Sequence, residues 1–390
     1  MLGLAAVQLV PLPPALIELV SPHARPVWTR LVLDVPSALP LSVDLDAGFW
    51  ALMVIASTIA TYACARHVFA RGGVRRVARA IASIGFGVSL LALAQEATGG
   101  GRMYWQWAPL QEGAPPFGPF VNRNDFGTWA VMAIPVVLGY LAAHLTAHRH
   151  EFPPHAPWQA RLRIMADGRA MWLFAATLAM IVALTASLSR SAMFGLGVAF
   201  VTAAFFRPPA GTLARFRPLW IGGALLLVVV AVLMYVSPQA LAGRISQAPV
   251  SAAGRWIIWR ETMPIIRDFW LTGTGAGTYE TVMLVYQRTM PGVRFNTAHN
   301  HYLQFAAEGG LLLTVPFILA LRGLWRDAEA MITSDDSGIY YLRAAAVCGL
   351  TGAAAQSLWD TGLATPANAY LAAILMAIIV HAPIRNRLPD

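Results

Sequence analysis

The sequence predicts an all-α protein that crosses a membrane many times. Hydrophobic residues make up 57% of the 390 and charged residues 12%, against roughly 25% charged in a soluble domain. Apolar runs of about 20 residues recur along the whole length, each long enough to cross a bilayer as a helix. The polar residues between them fall in short loops, with one long interruption in the C-terminal half. The expected architecture is a polytopic integral membrane helical bundle of about nine to ten spans. One large loop carrying short helices interrupts it.

Residues 1–45 are apolar but broken by Pro11, Pro13 and Pro14. They read as an N-terminal remnant span and interfacial segment, with no secretory signal peptide. The first clear span covers about 47–69 and is followed by the basic turn R-G-G-V-R-R-V-A-R. The second covers about 80–97, and a Gly- and aromatic-rich loop leads to the third at about 126–146. The fourth, about 170–188, is joined by the tight turn S-L-S-R-S to the fifth at about 192–206. The sixth covers about 219–236, and the seventh ends near 321. A charged link over 322–343 precedes the eighth at about 344–358, and W-D-T-G-L-A-T-P leads to the last at about 369–381. Transmembrane helices therefore occupy 46–236 and 303–384. The large loop occupies 237–302, and 385–390 form a tail.

Composition removes several function classes. All 28 basic residues are arginine. Without lysine there is no P-loop, whose Lys rests on the phosphates, and no lysine Schiff base. Arginine's planar fork suits phosphate, although a GC-rich genome accounts for most of the 28. The net charge of +9 does not point to nucleic acid, because most arginines sit in short loops where they set orientation. Cys64 and Cys348 fall inside apolar runs with no disulfide or metal-ligand spacing, and read as packing residues.

Alternation of the spans sorts the arginines into two sets. Seventeen fall in one set of loops and eleven in the other, six of those eleven in one long loop counted from Arg244. Orientation follows the short loops near span ends. By that count the C-terminus is cytoplasmic. The long loop, the S-L-S-R-S turn and Asp360 then share the outer face, which in a bacterium is the periplasm.

That face collects the titratable residues. Arg190 stands between Ser189 and Ser191 at a span end. It reads either as a side chain snorkelling to headgroups or as an anion ligand held by a rigid turn. Arg255 opens a helical stretch in which Trp256, Trp259, Met263 and Ile266 share a face, with Arg260 flanking. That fits lipid anchoring or substrate binding, and Pro264 is expected to kink or end the helix. Gly273, Gly275 and Gly277 form G-x-G-x-G with no βαβ context, so a dinucleotide fingerprint is excluded. Backbone approach to a phosphate or sugar and simple loop flexibility both remain readings. Thr297 is placed to cap the seventh span, which would put His299 in its first turn. The dipole there favours the neutral imidazole that a general base needs. His301, Gln304 and Glu308 share the next face, and a carboxylate that deep must face a cavity or a partner. Asn122 and Arg123 open the third span, and Asp360 follows the eighth, either as caps or as further polar groups at the same face.

Taken in order, G-P-F-V-N-R-N-D-F-G, S-R-S, G-R-W-I-I-W, G-x-G-x-G and A-H-N-H-Y-L-Q-F-A-A-E-G-G resemble the O-antigen ligase and polymerase superfamily over about residues 118–360. The chain departs from it in lacking a Pro near Phe269-Trp270, in carrying Pro264, and in a shorter N-terminus. The resemblance implies a GT-C-like, metal-independent inverting glycosyltransferase with no cofactor. Its donor would be a glycan on undecaprenyl diphosphate and its acceptor lipid A core or a growing glycan, among membrane lipids of the bacterial inner membrane. Arg190 and Arg255 map onto the arginines that hold the diphosphate, and His299 onto the histidine that activates the acceptor. Asn122, Arg123, Trp256, Arg260, Asn300, His301, Glu308 and Asp360 are the further substrate-binding candidates. The competing class is a transporter or flippase of a lipid-linked or anionic solute, which would show internal repeats and interrupted helices at the midplane. No repeat is evident, and the polar groups gather at one face.

Overall fold

The computed structural model describes residues 1–99, 101–108, 115–147, 167–206, 248–290, 292–333 and 339–382. Among them the chain is helical, with only isolated bridges such as Leu12 with Leu39. The helices are α1 (Leu2–Val7), α2 (Pro14–Val20), α3 (Ala24–Leu31), α4 (Leu45–Ala70), α5 (Val74–Thr98), α6 (Arg123–Ala147) and α7 (Gly168–Ala186). After them come α8 (Arg190–Phe205), α9 (Ala248–Asp268), α10 (Tyr279–Tyr286), α11 (His301–Thr333), α12 (Tyr340–Gln356) and α13 (Pro366–Ile379). Five of these, α4, α5, α6, α7 and α11, are long and apolar enough to cross a membrane. The apolar runs expected at 47–69, 80–97, 126–146, 170–188, 192–206, 344–358 and 369–381 each become one helix. The expected span at 219–236 and the start of the long loop, with Arg244, lie outside the described residues.

Helix α11 differs from expectation in length. It passes the expected end near 321 and runs to Thr333. The sequence beyond Leu321, R-G-L-W-R-D-A-E-A-M-I-T, is rich in good helix formers, so the helix continues after the apolar run stops. Gly310 interrupts it, and the stretch beyond, 311–333, is roughly 35 Å long at about 1.5 Å per residue, enough to cross a hydrocarbon core.

The chain divides into two compact units. The first comprises Met1–Ala60, Val236–Trp325 and Ser357–Pro366; the second comprises Thr61–Tyr235, Arg326–Gln356 and Ala367–Asp390.

The second unit is built on α6, α8 and α12, which pack against one another, with α5 and α7 packed on α6. Small residues make this possible. A Cβ added to Gly195 of α8 would lie 2.7 Å from the carbonyl oxygen of Gly352 on α12. One added to Gly349 would lie 2.8 Å from that of Met132 on α6. Lipid tails are as apolar as a protein core, so close backbone approach and dispersion contacts replace the hydrophobic drive. Arg343 is buried, and its guanidinium donates to the carbonyls of Met331 and His381. Arg66 donates to that of Val380 at 3.2 Å. The Val380 and His381 carbonyls follow the end of α13, where no intrahelical donor reaches and a cation suits the dipole.

The first unit has a different core. Residues 1–45, expected as a remnant span and interfacial segment, form three helices of 6, 7 and 8 residues. Their apolar residues Ile17 and Val27 join Leu39 and Leu41, then Ile265 and Phe269 of α9, and Tyr279 and Val282 of α10. Pro264 does not end α9, which continues to Asp268. The carbonyl that Pro264 leaves without a donor is that of Arg260, an exposed residue where water can serve it. The buried Ile258 and Ile265 anchor the helix on both sides of the proline.

Candidate active site

In the first unit the G-x-G-x-G loop and α11 complete one another. Gly310 sits inside α11 at φ 52° and ψ −159°, outside helical geometry, so the ladder breaks there. The freed groups are taken up by the preceding loop. Leu311 and Leu312 N–H donate to the carbonyls of Trp270 and Leu271 at 2.8 and 2.9 Å. The carbonyls of Ala307 and Glu308 accept from Thr274 and Gly275 N–H, both at 3.0 Å. A broken helix is stable at membrane depth when protein re-satisfies its backbone. Gly273, Gly275 and Gly277 all have positive φ. At Gly273 the requirement is doubled, because a Cβ would also stand 2.1 Å from the Glu308 carbonyl oxygen.

The same loop holds the Glu308 side chain. Gly277 N–H donates to Oε2 at 2.9 Å and Tyr279 N–H to Oε1 at 3.2 Å; Gln304 Nε2 adds a third donor at 3.1 Å. Successive amides of a glycine-rich turn form an anion-binding concavity, and here a carboxylate of the same chain fills it. Gln8 of the N-terminal segment ties the assembly together. Its Nε2 donates to the Thr272 and Glu308 carbonyls at 2.8 and 3.1 Å, and its Oε1 accepts from Ala276 N–H at 3.2 Å. Nearby, Tyr279 donates or accepts a 2.6 Å bond with Thr262. Burial pushes its hydroxyl well above the ordinary tyrosine range, and the Glu308 and Glu261 charges push the same way.

His299 lies outside α11, not in its first turn. The cap is Asn300 rather than Thr297: Asn300 Oδ1 accepts from Tyr302 and Leu303 N–H at 3.0 and 3.1 Å. An asparagine satisfies those orphan donors as well as a threonine, and the helix begins at His301. His299 is left at φ 47°, a left-handed conformation that a non-glycine residue adopts at a cost. Burial, and then the charge of Arg255, lower its pKa from 6.5 to about 4. The imidazole is therefore neutral at pH 7, for reasons of burial and a neighbouring cation.

The remaining candidates of the first unit lie along the same segments. Arg255 is half-buried on α9. Trp256 and Met263 point outward, 67% and 53% exposed, and Arg260 is exposed with them. Trp259 turns inward and donates its indole N–H to the Ala298 carbonyl at 2.9 Å, so the expected shared face of Trp256 and Trp259 is split. His301 N–H donates to the Ser357 carbonyl at 2.9 Å. Asp360, three residues on, is buried and accepts from Thr361 N–H at 2.8 Å.

The second unit brings N-R-N-D and S-R-S together. Ser189 Oγ donates to Asn124 Oδ1 at 2.8 Å, and Asn122 Oδ1 accepts from Asn124 N–H at 2.9 Å. Gln356 donates to the Asn124 carbonyl at 3.3 Å and Asn368 to that of Asp125 at 3.0 Å. A Cβ on Gly127 would stand 2.5 Å from that of Ala192. Arg123 and Arg190 thus both open helices, α6 and α8, whose first turns are bonded to each other. Arg190 belongs to this unit, and Arg255 and His299 to the other.

Among the described residues no group of three His, Cys, Asp or Glu is arranged to hold a metal ion. Sequence reasoning did not find Gln8, Trp259 as a donor, or Gln304 as a link. Gln8 lies 264 positions from its partner Thr272, and nothing local signals such a bond. For Gln304 the signal was present, because i, i+4 spacing to Glu308 predicts a side-chain pair.

Residues 175–318 match the family model described as O-Antigen ligase. The matched stretch contains Arg190, Arg255, His299 and Glu308, and it leaves Asn122, Arg123 and Asp360 outside. No curated protein and no solved structure matches the chain.

Proposed function

We propose that this membrane protein, whose residues 175–318 match the O-Antigen ligase family model, is an inverting, metal-independent glycosyltransferase. It moves a glycan from undecaprenyl diphosphate to an acceptor hydroxyl at the periplasmic face of the bacterial inner membrane. The acceptor is lipid A core or a growing glycan. One observation carries this reading: a buried histidine beside an arginine, at a strained loop position just before α11.

The chemistry follows from those groups. Bond breaking at the anomeric carbon leaves negative charge on the diphosphate. Fixed guanidinium groups stabilise such charge without reorganisation, which is the role of Arg255; the resemblance assigns Arg190 to the same task. His299 takes the proton from the acceptor hydroxyl as its oxygen attacks from the opposite side. The new glycosidic C–O bond forms, the sugar–phosphate bond breaks, and the electron pair leaves on undecaprenyl diphosphate. The Arg255 charge that depresses His299 is offset when the diphosphate anion binds, so donor binding raises the basicity of the imidazole. The base becomes stronger when its substrate is present.

Purified protein in detergent, supplied with donor and acceptor extracted from the producing strain's membranes, should form product without a sealed bilayer. A transporter would need the bilayer, so failure in detergent together with bilayer-dependent movement of the donor would overturn the reading.

A further inference from the structure

Both backbone polar groups of Ala298, the residue before His299, are held by side chains that the proposed reaction does not use. Trp259 donates its indole N–H to the Ala298 carbonyl at 2.9 Å. Gln304 accepts the Ala298 N–H at 3.1 Å through Oε1. Ala298 itself is fully buried. Each gripping residue is in turn fixed. Trp259 lies one helical turn after Arg255 on α9, so its bond sets how far the His299 backbone stands from the helix that carries Arg255. Gln304 uses its other end, Nε2, to donate to Glu308, whose carboxylate sits in the amides of Gly277 and Tyr279. A continuous hydrogen-bonded chain therefore runs from the glycine loop through Glu308 and Gln304 to the residue before His299.

The local strain gives this chain something to do. A left-handed non-glycine residue costs on the order of 1–2 kcal/mol, and such a residue persists when its surroundings over-determine it. The Trp259 bond fixes the plane of the Ala298–His299 peptide and the Gln304 bond that of the peptide before it, so the chain leading into His299 cannot shift to let it relax to negative φ. The catalytic geometry tolerates little error, since a misplacement of about 1 Å can cost on the order of 10² in rate.

We infer that Trp259 and Gln304 are positioning residues, which clamp the two backbone polar groups of Ala298 and hold His299 at a set distance from Arg255. The inference rests on the reading of His299 as the base. The ionisable side chains on the segments around His299 are Arg255, Arg260 and Glu261 of α9, His301 and Glu308 of α11, and Asp360. Of these Arg255 is the one whose charge acts on the imidazole. Loosening the clamp takes His299 out of its buried place and away from that charge, so its pKa should climb from about 4 toward 6.5.

The test uses the full-length purified protein with membrane-extracted polyprenyl-diphosphate glycan and acceptor. Trp259→Phe keeps the ring and removes the N–H; Gln304→Met keeps the length and removes both bonds. Each should lower kcat by roughly 10- to 100-fold, leave the donor KM within about twofold, and move the acid limb of the pH–rate profile upward. A residue that only supported the fold would reduce the active fraction and scale the whole profile down without moving its limb. That outcome, or wild-type turnover in both variants, overturns the inference. His299→Ala run in parallel separates the two layers. If His299→Ala is inactive while Trp259→Phe keeps the wild-type limb, the clamp is refuted alone. If His299→Ala turns over normally, the base assignment fails and the clamp with it.

Discussion

The two units solve the problem of irregular backbone differently. In the second unit the polar backbone is satisfied inside helices, and contact between helices is made by Gly, Ala and Ser. In the first unit it is satisfied between segments: the loop over 270–279, the N-terminal Gln8 and the broken start of α11 exchange bonds across more than 250 positions of sequence. The first unit also holds His299, Met290 and four glycines at positive φ. Non-glycine residues at positive φ occur in both units, with Tyr104, Trp105 and Leu188 in the second; what sets the first apart is that its strained residue His299 lies beside a glycine loop bonded to other segments. Strain of that kind concentrates at sites of function.

The largest effects should therefore come from the strained unit. Arg255→Ala and His299→Ala are each expected to lower the transfer rate by roughly 10²–10³-fold, as for other preorganised charge stabilisers, in a detergent assay at matched protein amount. Because the base must be neutral, wild-type kcat/KM, which reports the donor-free protein, should persist as pH falls below 6.5 and decline only near about 4. Removing the neighbouring cation raises the imidazole pKa, so the residual activity of Arg255→Ala should decline at higher pH than wild type. Arg190→Ala combined with Arg255→Ala should lose less than the product of the two single losses if both grip one diphosphate. Strict additivity would assign them to separate tasks.

Next in size is Gly273→Ala. It places a Cβ 2.1 Å from the Glu308 carbonyl at a φ of 68°, and neither the backbone nor the carbonyl can yield. A loss of about 2–4 kcal/mol is expected from conformational strain and overpacking, read as a fall in melting temperature with loss of activity. Asn300→Ala removes the cap of α11 and should cost about 1 kcal/mol with a smaller rate loss, since His299 is held from Ala298 as well.

How much of this was legible in the sequence follows the same division. Seven spans of the bundle and of the membrane helices could be drawn to within a few residues, because a run of apolar side chains between arginines is a local signal. The contact of N-R-N-D with S-R-S was foreshadowed by their common face, though the Asn124–Ser189 bond was not. In the first unit the motif residues were visible and their partners were not. Glycines in G-x-G-x-G read as loop flexibility ahead of ligand approach; the Gly277 amide closes on Glu308, which sits 31 positions later. Thr297 looked like the cap because threonine caps helices, yet Asn300 competes for the same donors with a better ranking. Residues 1–44 carried no sign of joining the core of the loop, because Ile17, Val27 and Leu39 find their partners only in the folded chain.

The smallest expected effect is the one that sharpens the comparison most. Gly87 lies mid-way along α5, exposed, with no described atom within 4 Å of an added Cβ. Its backbone is helical, so alanine there meets no strain and removes freedom from the unfolded chain. Gly87→Ala should change stability by between zero and about +1 kcal/mol and leave transfer kinetics unmoved. Set beside Gly273→Ala, the same chemical change would then differ in sign between the two units. A loss at Gly87 as large as that at Gly273 would mean that the bundle, too, depends on backbone placement that composition and periodicity do not reveal, and the contrast between the units would fall.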